Sequence, residues 1–168
     1  MSSQSDIKSA GTLGFVGSIL MFIPYVSIVG YILVLIALNK LSKAYGNGAI
    51  WRNALYALIT AIVGSVLFTF ALFAILGATS SLYYMGLNIG VIGLFIAIFI
   101  VAYIIILISG RFMRNTYNEL GRSSGVEDFN KAARWYWLGA ILSIIIVGSI
   151  LYIVANVYAI LGYNKLRG

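Results

Sequence analysis

Residues 53–110 read NALYALITAIVGSVLFTFALFAILGATSSLYYMGLNIGVIGLFIAIFIVAYIIILISG, 58 positions without a single Asp, Glu, Lys, Arg or His. A bilayer crossing needs about 20 such positions, so this run is too long for one helix and decides the class of the molecule. It divides at Gly77-Ala78-Thr79-Ser80-Ser81 and the LYYMGLN that follows, because Gly, Ser and Asn between apolar blocks punctuate a chain. Spans are expected near 54–76 and 89–109, with a short loop over 77–88.

Two further uncharged runs flank it, 31 positions at 9–39 and 30 at 135–164. They predict spans near 11–38 and 135–161. The fold class is therefore all-α: an integral membrane protein with four transmembrane helices in a single membrane domain, residues 1–168. Unbroken apolar runs without period-two alternation disfavour a transmembrane barrel. The composition agrees, with 62% hydrophobic and 9% charged residues against about 25% charged in soluble domains.

Both outer runs are long for one crossing. At about 1.5 Å per residue, 31 residues reach roughly 46 Å, against a hydrocarbon core of about 30 Å. The chain's one proline, Pro24, removes a backbone donor and predicts a first helix kinked or broken there, with residues 10–23 either crossing or lying at the interface. The last run has no proline and is expected to tilt or protrude unbroken.

Lys40 and Lys43, then Gly46-Asn47-Gly48, predict the end of the first span, since cations complement a helix C-terminus and Gly terminates it. Ser124-Gly125-Val126-Glu127 has the spacing of a capping box opening the last helix. The loops 40–52 and 111–134 carry eight of the eleven Lys and Arg, and Trp51, Trp135 and Trp137 adjoin them. Basic loops stay in the cytoplasm and Trp marks the interface. Four spans then put both termini outside, where Lys165 and Arg167 fit poorly.

The pentapeptide VGSIL occurs at 16–20 and 147–151, with VGSVL at 63–67, and NKL ends both outer runs at 39–41 and 164–166. A tandem two-helix repeat would account for a span, a basic loop and a Trp-led span in each half. The VGSIL and NKL copies demand different offsets, 131 and 125.

The chain has neither Cys nor His, which excludes disulfides, thiolate or imidazole metal sites, and His as haem ligand or general base. No ionisable residue falls inside the expected spans, whereas proton relays and ion pathways use them. The polar residues there are Ser27, Thr60, Ser65, Thr69, Asn88, Ser109, Ser143, Ser149 and Asn156. Asn156 stands well inside the last span; the simpler role for it is interhelical glue, the sharper one a ligand contact. Small-residue ridges at Ala10-Gly14-Gly17-Ser18, Ala57-Ala61-Gly64-Ser65 and Gly86-Gly90-Gly93 let helices approach closely. Glu119, Glu127 and Asp128 are the acids of the 111–134 loop, two of them placed to favour a helix N-terminus. No catalytic, cofactor-binding or metal-binding residue is expected, and no cofactor. The net charge of +7 is spread over helix ends, which suits anionic lipid headgroups and not nucleic acid.

The stretch ILVLIALNKLSKAYGN at 32–47, followed by IWRNAL at 50–55, resembles an uncharacterised family of small archaeal multi-span membrane proteins. Its members are similar in an apolar helix with an early proline, an IALxKxS helix end, a Tyr-containing turn and an I-aromatic-RNAL restart. The resemblance is clearest over 14–60 and diffuse beyond, and the longer 111–134 loop departs from the pattern. It implies an archaeal cell membrane, a domain of unknown function, and no residue roles to carry over. The leading expectation is a non-catalytic structural or accessory subunit of a larger membrane complex, respiratory or transport-related, with other integral membrane subunits as partners. The alternative is a homo-oligomeric pore or carrier for small neutral or lipid-like molecules; a membrane enzyme using the 111–134 loop ranks third.

Overall fold

Three helical hairpins stacked side by side account for the chain. In the computed structural model the backbone of residues 2–85 and 89–168 is described, with the side chains of 4–77, 93–145 and 147–168. The helices are α1 (Ser2–Leu20), α2 (Ser27–Ala44), α3 (Gly48–Met85), α4 (Ile89–Ser124), α5 (Glu127–Ile141) and α6 (Ile146–Arg167), with a 3-10 turn at Leu142–Ile144. Four segments are long and apolar enough to cross a membrane: Ser27–Ala44, Gly48–Gly77, Gly93–Ser124 and Val147–Arg167. The chain is thus an all-α, multi-pass membrane protein.

The first outer run is broken, as Pro24 allows. The turn over residues 21–26 folds α2 back along α1, with Ile23 N–H donating to Leu20 O at 3.0 Å and Tyr25 in the left-handed region at φ 67°. Pro24 has no N–H to extend α1, and it disfavours the helical region for Ile23. Gly17 and Gly30 let the two arms touch: a Cβ on Gly17 would lie 2.7 Å from Gly30 O.

The last run does not continue unbroken, correcting the expectation for 135–161. It folds back between Leu142 and Ile145, where Ile145 is extended (φ −123°, ψ 157°). Ser143 Oγ donates to Ala140 O at 2.8 Å, and the Tyr103 hydroxyl donates to Ile141 O. Those two side chains occupy carbonyls at the end of α5, which apolar surroundings require. The β-branched run Ile144-Ile145-Ile146-Val147 adds stiff side chains poor in helix propensity.

At the opposite end α2 closes in a Schellman motif. Asn47 N–H donates to Ser42 O at 2.9 Å and Gly46 N–H to Lys43 O at 3.2 Å, with Gly46 at φ +64°. The expected capping box does not form. Val126 is the N-cap of α5, and Ser124 Oγ instead accepts from Val126 N–H (3.2 Å) while donating to Leu120 O (2.7 Å). Most of the expected 77–88 loop is helical, because α3 continues to Met85 with no proline to stop it; the remainder of that loop, including Asn88 and Gly86, lies outside the described residues.

Both termini share an end with the basic loops, which corrects their expected separation. Lys40 Nζ is 3.3 Å from Ser9 Oγ, and Lys165 Nζ pairs with Asp128 Oδ2 at 2.6 Å. Because each outer run is a hairpin, it returns to the side from which it started. All eleven Lys and Arg therefore gather at this basal end. The NKL copies end α2 and α6, the returning arms of the two outer hairpins, whereas the VGSIL copies fall on an outgoing arm and a returning one.

The main buried cluster lies toward the base. It runs from Ala10 through Leu41, Ile50 and Ala54 to Tyr117, Phe129 and Tyr163; among the described residues of 55–116 the buried apolar side chains are the small ones Ala57, Ala71 and Ala102. Met21 and Ile28 of the first tip share a cleft with Ile62 and Ser65 of α3. From that level α3 runs on for 20 residues to Met85, roughly 30 Å, with α4 as its main neighbour.

Candidate functional site: a cleft at the hairpin tips

Three cavities adjoin one another where the outer hairpins end. The largest, about 680 Å³, lies between α2 and α3, lined by Met21, Tyr31, Leu35, Ala61 and Ser65 among others. A second of about 330 Å³ shares Tyr31, Ala61 and Ser65 with it and adds Ser109, Tyr136 and Tyr152. A third of about 360 Å³ is lined by Met21, Phe22, Tyr136, Tyr152, Ile153 and Asn156. None of these linings contains an ionisable Asp, Glu, Lys or Arg. Their sizes match those of small-molecule sites, about 300–1,000 Å³, which are mostly apolar with a few placed polar groups.

The tips make the cleft. Outer hairpins shorter than α3 and α4 leave a step, and the tyrosines fill only part of it. Tyr152, Tyr136, Tyr117 and Phe129 form a column with ring centroids 6.0, 5.2 and 6.0 Å apart, Tyr117 and Tyr136 stacked within 4°. Phe129 then meets Tyr163 edge-on at 5.1 Å. The column carries the rigidity of the base up to the cavity wall, since aromatic pairs at these spacings are favourable beyond their burial.

Several of the polar span residues converge here. Ser27, Ser65, Ser109, Ser143 and Asn156 all line cavities. Ser109 Oγ donates to Ala57 O at 2.8 Å, tying α4 to α3. Asn156 is 6% exposed; its Nδ2 donates to Ser18 O of α1 at 3.0 Å, the interhelical glue its position suggested, while Oδ1 has no partner. Thr60 is elsewhere, donating to Tyr56 O on its own helix. The ridge on α1 is buried as expected, Gly14 against the Tyr163 ring and Gly17 against Gly30. Ala57 and Gly64 face α4, whereas Gly93 meets nothing within 4 Å. Gly86 is outside the described residues, and the surroundings of Gly90 are too.

The tyrosines and Met21 are what the sequence reading missed. Tyr31 and Tyr152 stand inside apolar runs, deeper than an interfacial belt accounts for, whereas Tyr136 lies between Trp135 and Trp137 and Tyr163 close to Lys165. For Tyr31 and Tyr152 that depth was the available signal.

The acids of the basal end are placed as structural ties. Glu119 accepts from Asn47 Nδ2 at 3.2 Å and pairs with Arg122 at 3.0 Å; Glu127 pairs with Lys131 at 3.6 Å, and Asp128 with Lys165. Asn47 also donates to Ser123 Oγ (3.1 Å) and accepts from Ala49 N–H (3.1 Å), so one side chain joins both basal turns. Among the described residues no group of three acids could hold a metal ion. Between α4 and α5 a polar groove of about 340 Å³ is lined by Arg114, Asn118, Arg122, Glu127, Asn130, Lys131 and Arg134. Arg114 lies over the Trp137 ring at 5.9 Å.

No solved structure matches the chain. An uncharacterized protein of Methanocaldococcus jannaschii is 31% identical over 170 residues, covering 97% of this chain and 94% of that one. A family model described as Protein of unknown function (DUF996) matches residues 26–157, which takes in α2 to α5, the first half of α6 and nearly all of the cleft. The chain belongs to this DUF996 family of proteins of unknown function.

Proposed function

We propose that the protein is a non-catalytic membrane protein that holds a lipid-like or other neutral apolar molecule in the cleft at the hairpin tips. The supporting observation is the run of adjoining cavities at one depth, walled by apolar side chains and tyrosines without a charge. This takes up the carrier reading of the sequence.

The basal end faces the cytoplasm of the cell membrane in this reading, because its Lys and Arg follow the positive-inside bias. The groove of Arg114, Arg122, Lys131 and Arg134 then meets anionic headgroups, at about 1 kcal/mol per well-placed cation. Both termini lie on that same side.

The test is extraction of the purified full chain in mild detergent, with its retained small molecules identified by mass spectrometry. One apolar species enriched well above its share of the surrounding membrane is expected. Ala61→Phe with Ser65→Phe, which fills the largest cavity, lowers that retention severalfold. A retained profile identical to the bulk membrane defeats the proposal.

The accessory-subunit reading has its own observation, the distal part of α3 and α4. There Val66, Phe70, Phe73 and Leu76 are exposed at 57–69%. Integral membrane subunits packed on this face would co-purify stoichiometrically with a tagged chain. Recovery as a defined homo-oligomer would instead favour a pore or carrier.

A further inference from the structure

The polar groove between α4 and α5 carries more than a general positive charge. On α4, Arg114, Asn118 and Arg122 follow one another at four-residue spacing, and on α5 Glu127, Asn130, Lys131 and Arg134 form one stripe, so two facing helix surfaces supply the lining. Gly121 lets these walls close, since a Cβ there would lie 2.5 Å from Asn130 Oδ1. The charges divide in two. Toward the turn, Arg122 is paired with Glu119 and Lys131 with Glu127. Toward the membrane, Arg114 and Arg134 take part in no ion pair among the described residues. Arg114 lies over the Trp137 ring at 5.9 Å, and Trp137 follows Arg134 by one turn of α5. Both arginines therefore stand at the level of an interfacial tryptophan, which is headgroup depth. A guanidinium stacked on a ring is oriented in advance and keeps its full charge.

We infer that this groove binds one phosphate monoester group, carried by a lipid or present as free phosphate, between Arg114 and Arg134. A monoester bears about −1.5 to −2 charge near pH 7 and three acceptor oxygens. Two forked guanidinium groups match that charge and those oxygens, and Asn118 and Asn130 add amide donors to the same lining. The one acid of the lining, Glu127, is engaged by Lys131. A phosphodiester or a carboxylate brings a single charge and leaves one of the two arginines uncompensated. The inference rests on the headgroup contact proposed above, narrows it from a field of charge to a single bound group, and is independent of what the cleft at the hairpin tips holds.

The experiment uses the purified full chain in mild detergent, with bound lipids counted by native mass spectrometry. Phosphatidic acid (a monoester), its methyl diester phosphatidylmethanol and zwitterionic phosphatidylcholine, all with the same acyl chains, are supplied together in equal amounts. One phosphatidic acid per chain is expected, retained about ten-fold over phosphatidylmethanol, as one further charge-assisted contact gives. Arg114→Gln with Arg134→Gln brings that ratio close to one. Lys43→Gln with Arg52→Gln, which removes the same charge outside the groove, leaves it unchanged. Inorganic phosphate then separates the two sources: displacement of phosphatidic acid at equal concentration marks a site for the free ion, and resistance to it marks a site for the headgroup. Equal retention of monoester and diester by the unaltered chain overturns the inference, whether or not either variant folds. The same loss of preference in both double variants also overturns it, leaving a diffuse attraction. Absence of any preference over phosphatidylcholine defeats the underlying headgroup contact as well.

Discussion

The base and the distal hairpin are built from the same kinds of helix and solve different problems. In the base six helices bury Tyr117, Phe129, Tyr163, Leu38 and Leu41 almost completely against one another. In the distal part α3 and α4 pack on each other, through contacts such as Phe68 with Phe99 at 4.8 Å, and turn Val66, Phe70, Phe73, Leu94 and Ile100 outward. A third of the α2 and α6 spans is buried inside the protein, against 11% of the α3 and α4 spans. In a bilayer apolar side chains gain little by leaving lipid, so helices associate through small residues, close packing and interhelical hydrogen bonds. The base has all three: the Gly17–Gly30 approach, the aromatic column and the Asn156–Ser18 bond. The distal hairpin has large aliphatic and aromatic side chains, and its outward surface is suited to lipid or to another chain.

The sharpest way to break this comparison is a pair of matched truncations. Phe129→Ala empties a fully enclosed site in contact with Tyr117, Tyr163 and Gly162, and should cost about 3–5 kcal/mol. Phe73→Ala, at a position 69% exposed, should stay within about 0.5 kcal/mol. Reversible unfolding in mixed micelles measures both, and similar losses would show that the distal side chain is buried too.

Gly17→Leu and Gly93→Leu form a second pair. The first drives a side chain into the α2 backbone and should cost about 1–3 kcal/mol or more; the second enters open space and should leave the melting temperature in detergent nearly unchanged. Asn47→Ala tests whether the basal turns are tied together. It loses its bonds to Glu119 and Ser123 and the cap at Ala49, for about 1–2 kcal/mol. Hydrogen exchange should rise at residues 45–50 and 119–124 together; a rise confined to 45–50 would make the tie a local cap only. The smallest effect on stability is expected for Arg114→Gln with Arg134→Gln, neither of which removes an ion pair among the described residues. Their signature should be weaker stabilisation by added anionic lipid, about 1 kcal/mol per cation, with little change in zwitterionic lipid.

The class of the fold is legible in the uncharged runs, since their length against the bilayer leaves little choice. The hairpins are less so. Pro24 marks the first tip openly, but the second forms at Leu142–Ile145 without proline or a glycine in the turn. It depends on Ser143, on the hydroxyl of Tyr103 and on Gly148 beyond the bend. Tyr103 is 38 residues away in sequence, so no local pattern announces it. That one unrecognised turn propagated: an unbroken last span must end on the far side, which is how the C-terminus came to be misplaced despite Lys165 and Arg167. The cleft was hidden for a related reason, because it exists only where tips of short hairpins stand beside longer helices. Asn156 could be singled out as polar in an apolar run, whereas its bond to Ser18 O of α1 is a matter of geometry.

The gathering of all eleven cations at one end also bears on biosynthesis. Each hairpin can enter the bilayer from the same side as a unit, its uncharged turn leading, and no Lys or Arg need be carried through hydrocarbon, a passage costing about 2.5–3.5 kcal/mol per residue on insertion scales. A nascent chain of this design can be threaded without translocating a charged segment.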